Sequence, residues 1–152
     1  MGRWTDRLAE LGIPLPEVVK PVASYVPAVR TGSLVFTAGQ VPMVAGEPAG
    51  LGKVGAEVSA EEAQQYARIC ALNALAAVDS LVGLDSIVRV VKVVGFVASA
   101  EGFTGQPGVV NGASELLGEV FGEAGQHARS AVGVAELPLG VPVEVELVVE
   151  VE

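Results

Sequence analysis

Two periods alternate along this chain. Between residues 59 and 82, apolar side chains return every three or four positions. Ala63, Tyr66, Ala67, Cys70, Ala74, Ala77, Val78 and Leu81 fall on one stripe, the mark of a helix with one buried face. Ser59-Ala60-Glu61-Glu62 opens it as a capping box: the Ser59 hydroxyl can accept from the Glu62 backbone N–H, and the Glu62 carboxylate can answer. Gly83 ends it. A second stripe, Val109, Ala113, Leu116, Leu117, Val120 and Phe121, predicts another helix, weakened by Gly112 and Gly118. Residues 5–11 (TDRLAEL) predict a short helix stopped by Gly12, Pro14 and Pro16.

Elsewhere the period is two. From residue 141 to 151, Val141, Val143, Val145, Leu147, Val149 and Val151 point one way, while Glu144, Glu146, Glu150 and Glu152 point the other, with Val148 between them. Residues 87–98 (IVRVVKVVGFVA) are apolar on both alternating faces, as strands covered on both sides are. Residues 128–135 read as a strand, joined to the last one by residues 136–140. Residues 22–30 read as extended, Arg30-Thr31-Gly32-Ser33 as a tight turn and residues 34–37 as a strand, so a first hairpin is expected. Residues 41–55 form a loop with a short strand at 43–45. Two long helices interleaved with five or six strands give an α+β fold with a mixed sheet. The strand–helix–strand unit over residues 87–135 is expected to cross over right-handed. With the helices on one face only, the other face of the sheet needs a cover, and a partner subunit supplies it most simply.

Composition sharpens that expectation. Of 152 residues, 51% are hydrophobic and only 18% charged, yet the net charge is −9. An oily, acidic chain of this length fits one soluble domain over residues 1–152, with residues 1–21 as a helix and Pro-rich extension. The acidic balance opposes nucleic-acid binding. No apolar run is long enough to span a membrane, and residues 1–10 carry no signal-like apolar core, so a cytoplasmic location is expected. One cysteine and one histidine exclude a disulfide framework and a multi-histidine metal centre within one chain.

The candidate chemistry gathers at the C-terminal end. The glutamate face of residues 144–152 reads equally well as a solvated edge or as a functional face. In residues 129–135 (RSAVGVA), Val132 and Val134 are placed with the valine face, which puts Arg129 on the glutamate side. Arginine suits a bidentate grip on a carboxylate, and glutamate suits polarising a water; a plain cross-strand salt bridge remains the alternative. The other reactive residues read more simply. Cys70 is a buried, inert thiol on an apolar stripe. His127 is a surface-loop histidine, although it could shuttle protons. Asn73 serves a backbone contact from mid-helix. Arg89 and Lys92 are placed on opposite sides of their strand. Residues 50–55 (GLGKVG) lack Walker spacing and read as a flexible turn. Gly39 and Gly133 mark a close backbone approach or a bulge.

Ala128-Arg129-Ser130, Val134-Ala135, Leu137-Pro138 and Val143-Glu144-Val145-Glu146 together resemble the C-terminal signature of the RidA family (YjgF/YER057c/UK114). Tyr25-Val26, Ala38-Gly39-Gln40-Val41-Pro42, Asn73 and Val110-Asn111 resemble its earlier segments in order. The N-terminal helix and the loop over 43–55 are similar to a less characterised RidA-like subgroup. The resemblance implies a chorismate-mutase-like fold and a homotrimer with ligand clefts between subunits. It implies hydrolysis of enamine or imine intermediates to 2-keto acids and ammonia, with no metal or organic cofactor. On this chain, Arg129 would hold the substrate carboxylate and Glu144 would activate water. Tyr25 would line the cleft from the neighbouring subunit, Ala38, Gly39 and Ala131 would contact substrate, and Asn111 would support the wall. Ala38 stands where the family's deaminases carry serine, and Ala131 replaces a frequent cysteine. A non-catalytic metabolite sensor on the same fold is the alternative. An endoribonuclease, a label some relatives carry, is opposed by the net charge of −9 and the lone histidine.

Overall fold

The structure, a computed structural model, describes residues 2–21 and 23–152; of the segment over 22–30 read as extended, Val22 lies outside the described residues, and the strand itself begins only at Ala28. Along the chain run α1 (Arg3–Leu11), β1 (Ala28–Thr31), β2 (Leu34–Thr37), β3 (Met43–Val44), β4 (Glu47–Pro48), α2 (Ala60–Val82), β5 (Ile87–Ala98), α3 (Gln106–Phe121), β6 (Ala128–Val134) and β7 (Val143–Val151). Five strands make one mixed sheet in the order β1-β2-β7-β5-β6, and β3 and β4 pair separately as a small hairpin. Only β5–β6 is parallel in the main sheet, and α3 is its connection. The α+β class and the mixed sheet are as expected.

The predicted elements form for the predicted reasons. The capping box closes both ways, Ser59 N–H to the Glu62 carboxylate at 3.0 Å and Glu62 N–H to Ser59 Oγ at 3.1 Å. One core joins α2 and α3 to the sheet through Val93, Val97, Val143, Val145, Leu147 and Val149. At Gly112 in α3, a Cβ would collide with the Gln64 backbone carbonyl of α2, so glycine permits this close helix contact.

Helix α1 starts two residues earlier than its sequence suggests, because its cap comes from a distant segment. Asp85, in a one-turn 3₁₀ helix after α2, accepts from Trp4 N–H at 2.7 Å, Thr5 N–H at 3.0 Å and the Thr5 hydroxyl at 2.8 Å. These satisfy donors that a helix start leaves open. Trp4 is buried, donates its indole N–H to the Ile87 carbonyl at 2.8 Å and meets Phe121 edge-on at 4.9 Å.

Two placements need correction. In β5 the register shifts twice, between Ile87 and Arg89 and between Val90 and Lys92. Arg89 and Lys92 therefore do not face opposite sides. Both lie across from outward positions of β7, Glu150 and Val148. In β6, Arg129 aligns with Val93, Ala131 with Gly95 and Gly133 with Val97, and Val93, Gly95 and Val97 are buried beneath the helices. Arg129 thus faces α3, on the side opposite the glutamates, while Val132 faces out. The valine rule fails here because β6 is an edge strand: small residues lie under the helices, and its valines sit on the open face.

That open face carries exposed apolar side chains beside the glutamates of β7. Val29, Phe36 and Val132 are 53%, 43% and 45% exposed. β5, read as covered on both sides, is covered on one. Among the described residues no helix is long and apolar enough to cross a membrane.

Candidate functional site

Pro107, Asn111 and Ser114 stand four and three residues apart in α3, a spacing that aligns them on one helix face. Arg129 lies against that face. Its Nη1 donates to Asn111 Oδ1 at 2.8 Å and to Ser114 Oγ at 3.2 Å, and its Nη2 donates to the Pro107 carbonyl at 3.3 Å. A guanidinium has five N–H donors. These bonds use both on Nη1 and one on Nη2, leaving the Nε–H and the second Nη2–H with no acceptor among the described residues. Nε and Nη2 share the edge of the guanidinium suited to a side-on grip on a carboxylate.

The network continues through His127. Its Nε2 lies 2.9 Å from Ser114 Oγ and its Nδ1 2.6 Å from the Gly125 carbonyl. His127 is half-buried, not the surface histidine of the sequence reading. Neither Ser114 nor its link to His127 is visible from sequence. The only hint is that Ser114 follows Asn111 by three residues on a helix of otherwise apolar inward positions.

Glu144 belongs to a second group, on the other face. It is outward on β7 and half-buried. Gln40 and Val145 exchange backbone hydrogen bonds at 2.8 and 2.9 Å, and Ala38 N–H donates to the Pro27 carbonyl at 2.8 Å. The segment so held brings Gly39 against Glu144, where a Cβ would collide with the carboxylate. Burial raises the Glu144 pKa above its ordinary value, and the negative charge of Glu146 raises it further. Such a carboxylate is a better base at neutral pH than an exposed one.

Arg129 and Glu144 do not meet in one chain. They lie two strands apart, three residues out of register and on opposite faces, which puts their Cα atoms about 14 Å apart. Asn111 touches Arg129, and Ala131 lies beside it on β6 under the helices. Ala38 and Gly39 belong with Glu144. Tyr25, 52% exposed, precedes β1 two residues before Pro27.

The remaining polar candidates are structural. Asn73 donates to the carbonyls of Val41 and Met43, both at 3.1 Å, pinning the loop before the small hairpin. Cys70 is fully buried. Burial, and secondarily the charge of Glu144, pushes its pKa well above the ordinary thiol range, so it supplies no thiolate. Among the described residues, no cluster of three or more His, Cys, Asp or Glu side chains could hold a metal ion.

Residues 5–151 match a family model described as YjgF/chorismate_mutase-like, putative endoribonuclease. The chain belongs to the YjgF/chorismate-mutase-like family. A relative in this comparison, Protein TCP17 of Trypanosoma cruzi, is 43% identical over 151 residues, 98% of this chain and 94% of its own. The structure of Atu1372 from Agrobacterium tumefaciens, described as of unknown function, is similar with a TM-score of 0.90 and 44% identity, over 99% of this chain and 93% of that one. E. coli TdcF, crystallised with bound serine, is similar with a TM-score of 0.67 and 25% identity, over 90% and 94% of the two chains. YjgF-family membership agrees with the resemblance in residues 128–146, and the family's chorismate-mutase-like fold is the one described above.

Proposed function

We propose that this protein is a homotrimeric hydrolase of small enamine or imine carboxylates, with sites formed between subunits. The observation that carries this reading is a pair of complementary groups in a chain of this family: the unfilled fork of Arg129 and the half-buried Glu144, a carboxylate with raised proton affinity. Because they lie on opposite faces of one sheet, a site using both takes one from each of two copies. The exposed Val29, Phe36 and Val132 give the open face the apolar surface such an assembly covers. The serine bound to TdcF is a small amino carboxylate, the size and charge that an arginine fork in a cleft of this kind would select.

The chemistry asks little of the protein. The imine carbon is already electrophilic, so orientation and water activation suffice. Arg129 holds the carboxylate. Glu144 takes a proton from water as its oxygen adds to the carbon, giving a carbinolamine. The proton then passes to nitrogen, the C–N bond breaks, and the products are a 2-keto acid and ammonia. Each imine consumes one water and leaves no redox change.

The test generates imines with an amino-acid oxidase and traps them with semicarbazide. Wild-type protein should suppress semicarbazone formation, whereas Arg129→Ala and Glu144→Gln should not. Absence of suppression by wild type across several amino acids would refute the reading. Ala38 favours a second one, a carboxylate-binding module, since the hydroxyl of the family's deaminases is missing. Arg129-dependent binding of 2-ketobutyrate in a calorimeter, with no turnover, would support it.

A further inference from the structure

Ser114 and His127 play no part in the reaction proposed above, yet they form a directed chain ending on Arg129. A carbonyl oxygen can only accept, so the 2.6 Å contact between His127 Nδ1 and the Gly125 carbonyl places a proton on Nδ1. In a neutral imidazole Nε2 is then an acceptor. Its partner at 2.9 Å, Ser114 Oγ, must donate to it. The hydroxyl hydrogen being committed to His127, the Ser114 lone pairs turn to Arg129 Nη1 at 3.2 Å. Each bond fixes the direction of the next.

We propose that Ser114 and His127 are positioning residues for Arg129: the carbonyl–histidine–serine chain holds Nη1 and so determines that the Nε/Nη2 edge is offered to a substrate carboxylate. This rests on the reading of Arg129 as the carboxylate anchor. Asn111 and the Pro107 carbonyl hold the guanidinium from the same helix face, but neither has a partner that dictates its orientation. Ser114 does, which makes His127, two residues before Arg129 and just ahead of β6, the source of the alignment. The chain also favours carboxylates over substrates that do not need the fork.

The experiment compares wild type with Ser114→Ala, Ser114→Thr, His127→Phe and His127→Gln. The first readout is the nitrogen–proton NMR signal of the Arg129 side chain, from which rotation about the Cζ–Nε bond is measured. It needs neither substrate nor turnover. Loss of one hydrogen bond should speed that rotation about 2–12-fold in Ser114→Ala and His127→Phe. Ser114→Thr keeps the hydroxyl and His127→Gln keeps an acceptor, so both should stay near wild type. The second readout is 2-ketobutyrate affinity by calorimetry, with KM and kcat for an imine substrate where turnover occurs. Affinity should weaken and KM rise by a similar factor in the two disruptive variants, with kcat changing less because Glu144, the group that activates water, is left untouched. Unchanged Arg129 rotation in a folded Ser114→Ala or His127→Phe protein would overturn the proposal. Faster rotation and weaker 2-ketobutyrate binding with no turnover in any protein would uphold it while refuting the hydrolase reading. Equal losses in the disruptive and conservative variants would mean the residues serve packing only, which also overturns it.

Discussion

Two inactive variants should restore each other if each site takes Arg129 from one subunit and Glu144 from the next. The perturbation is a mixture of Arg129→Ala and Glu144→Gln chains, unfolded and refolded together. The basis is geometric. The two side chains lie on opposite faces of one sheet, two strands apart, and a Cα separation of about 14 Å across a covered sheet cannot be bridged by one small substrate. In a trimeric ring, each mixed assembly then holds one intact pair among its three sites, whichever variant is in the majority. Random mixing of equal amounts makes about three-quarters of the trimers mixed, so activity should recover to about one-quarter of wild type. A site within one chain predicts no recovery at all. A second mixture, wild type with the Arg129→Ala/Glu144→Gln double variant, is equally decisive: about one-quarter activity for a shared site and about one-half for a site within one chain. The assay is loss of semicarbazone signal, with native mass spectrometry to verify that mixed trimers formed. Mixed trimers without recovery, or one-half activity in the second mixture, would refute the shared site.

Three further outcomes test separate parts of the structure. Asp85→Ala removes three hydrogen bonds from the start of α1 and, allowing for solvent exposure, should cost about 1–2 kcal/mol in urea unfolding; Trp4, the only tryptophan, should shift its fluorescence first, and an unchanged midpoint would refute the cap. Although burial alone would raise the Asp85 pKa, the bonds from Thr5 and Trp4 lower it overall; its stabilisation should therefore be full above the unfolded pKa of about 3.9 and disappear as pH falls through the lower folded value. Gly39→Ala should drive the Glu144 carboxylate into water, returning its pKa toward the ordinary range and lowering the rate near neutrality; a pH–rate profile with an unmoved limb would contradict the contact. If the open face forms the interface of the proposed trimer, Val132→Glu should shift light-scattering mass from trimer toward monomer, and an intact trimer would exclude this part of the face from the interface.

Where one physical cause controlled an element, the sequence revealed it. The capping box and apolar stripe bounded α2 almost to the residue, and strict alternation gave the buried and outward positions of β7. Where two distant segments shared control, it did not. The first turn of α1 depends on Asp85, some eighty residues away. The face of β6 depends on its parallel alignment with β5 at an edge where valine no longer means core. The two register shifts of β5 break the alternation on which Arg89 and Lys92 were assigned. At the candidate site, Arg129, Glu144, Gly39 and Asn111 were identifiable through the family resemblance, but their division between two faces was not. Ser114 and His127 were not singled out together, because their link spans a helix and the segment entering β6, which become neighbours only through the crossover.

The division of faces also sorts the glutamates that made the chain look uniformly acidic at its end. Glu150 lies across β5 from Arg89, an outward cation. Glu146 lies across from Val94 and Glu144 from Phe96. The alternation is the same at all three positions, but the neighbouring strand supplies a charge at only one. Glu144 adds partial burial against Gly39 and the repulsion of Glu146, and its pKa rises with no cation across the strand to lower it. Its counterpart, Arg129, is held on the other face by neutral acceptors, which keep its full positive charge unspent. Among the described residues, one chain thus carries a carboxylate with no cation paired to it and a guanidinium with no anion paired to it, separated by its own sheet. A second copy placing its Arg129 near the first copy's Glu144 would bring the unmatched charges together across a substrate.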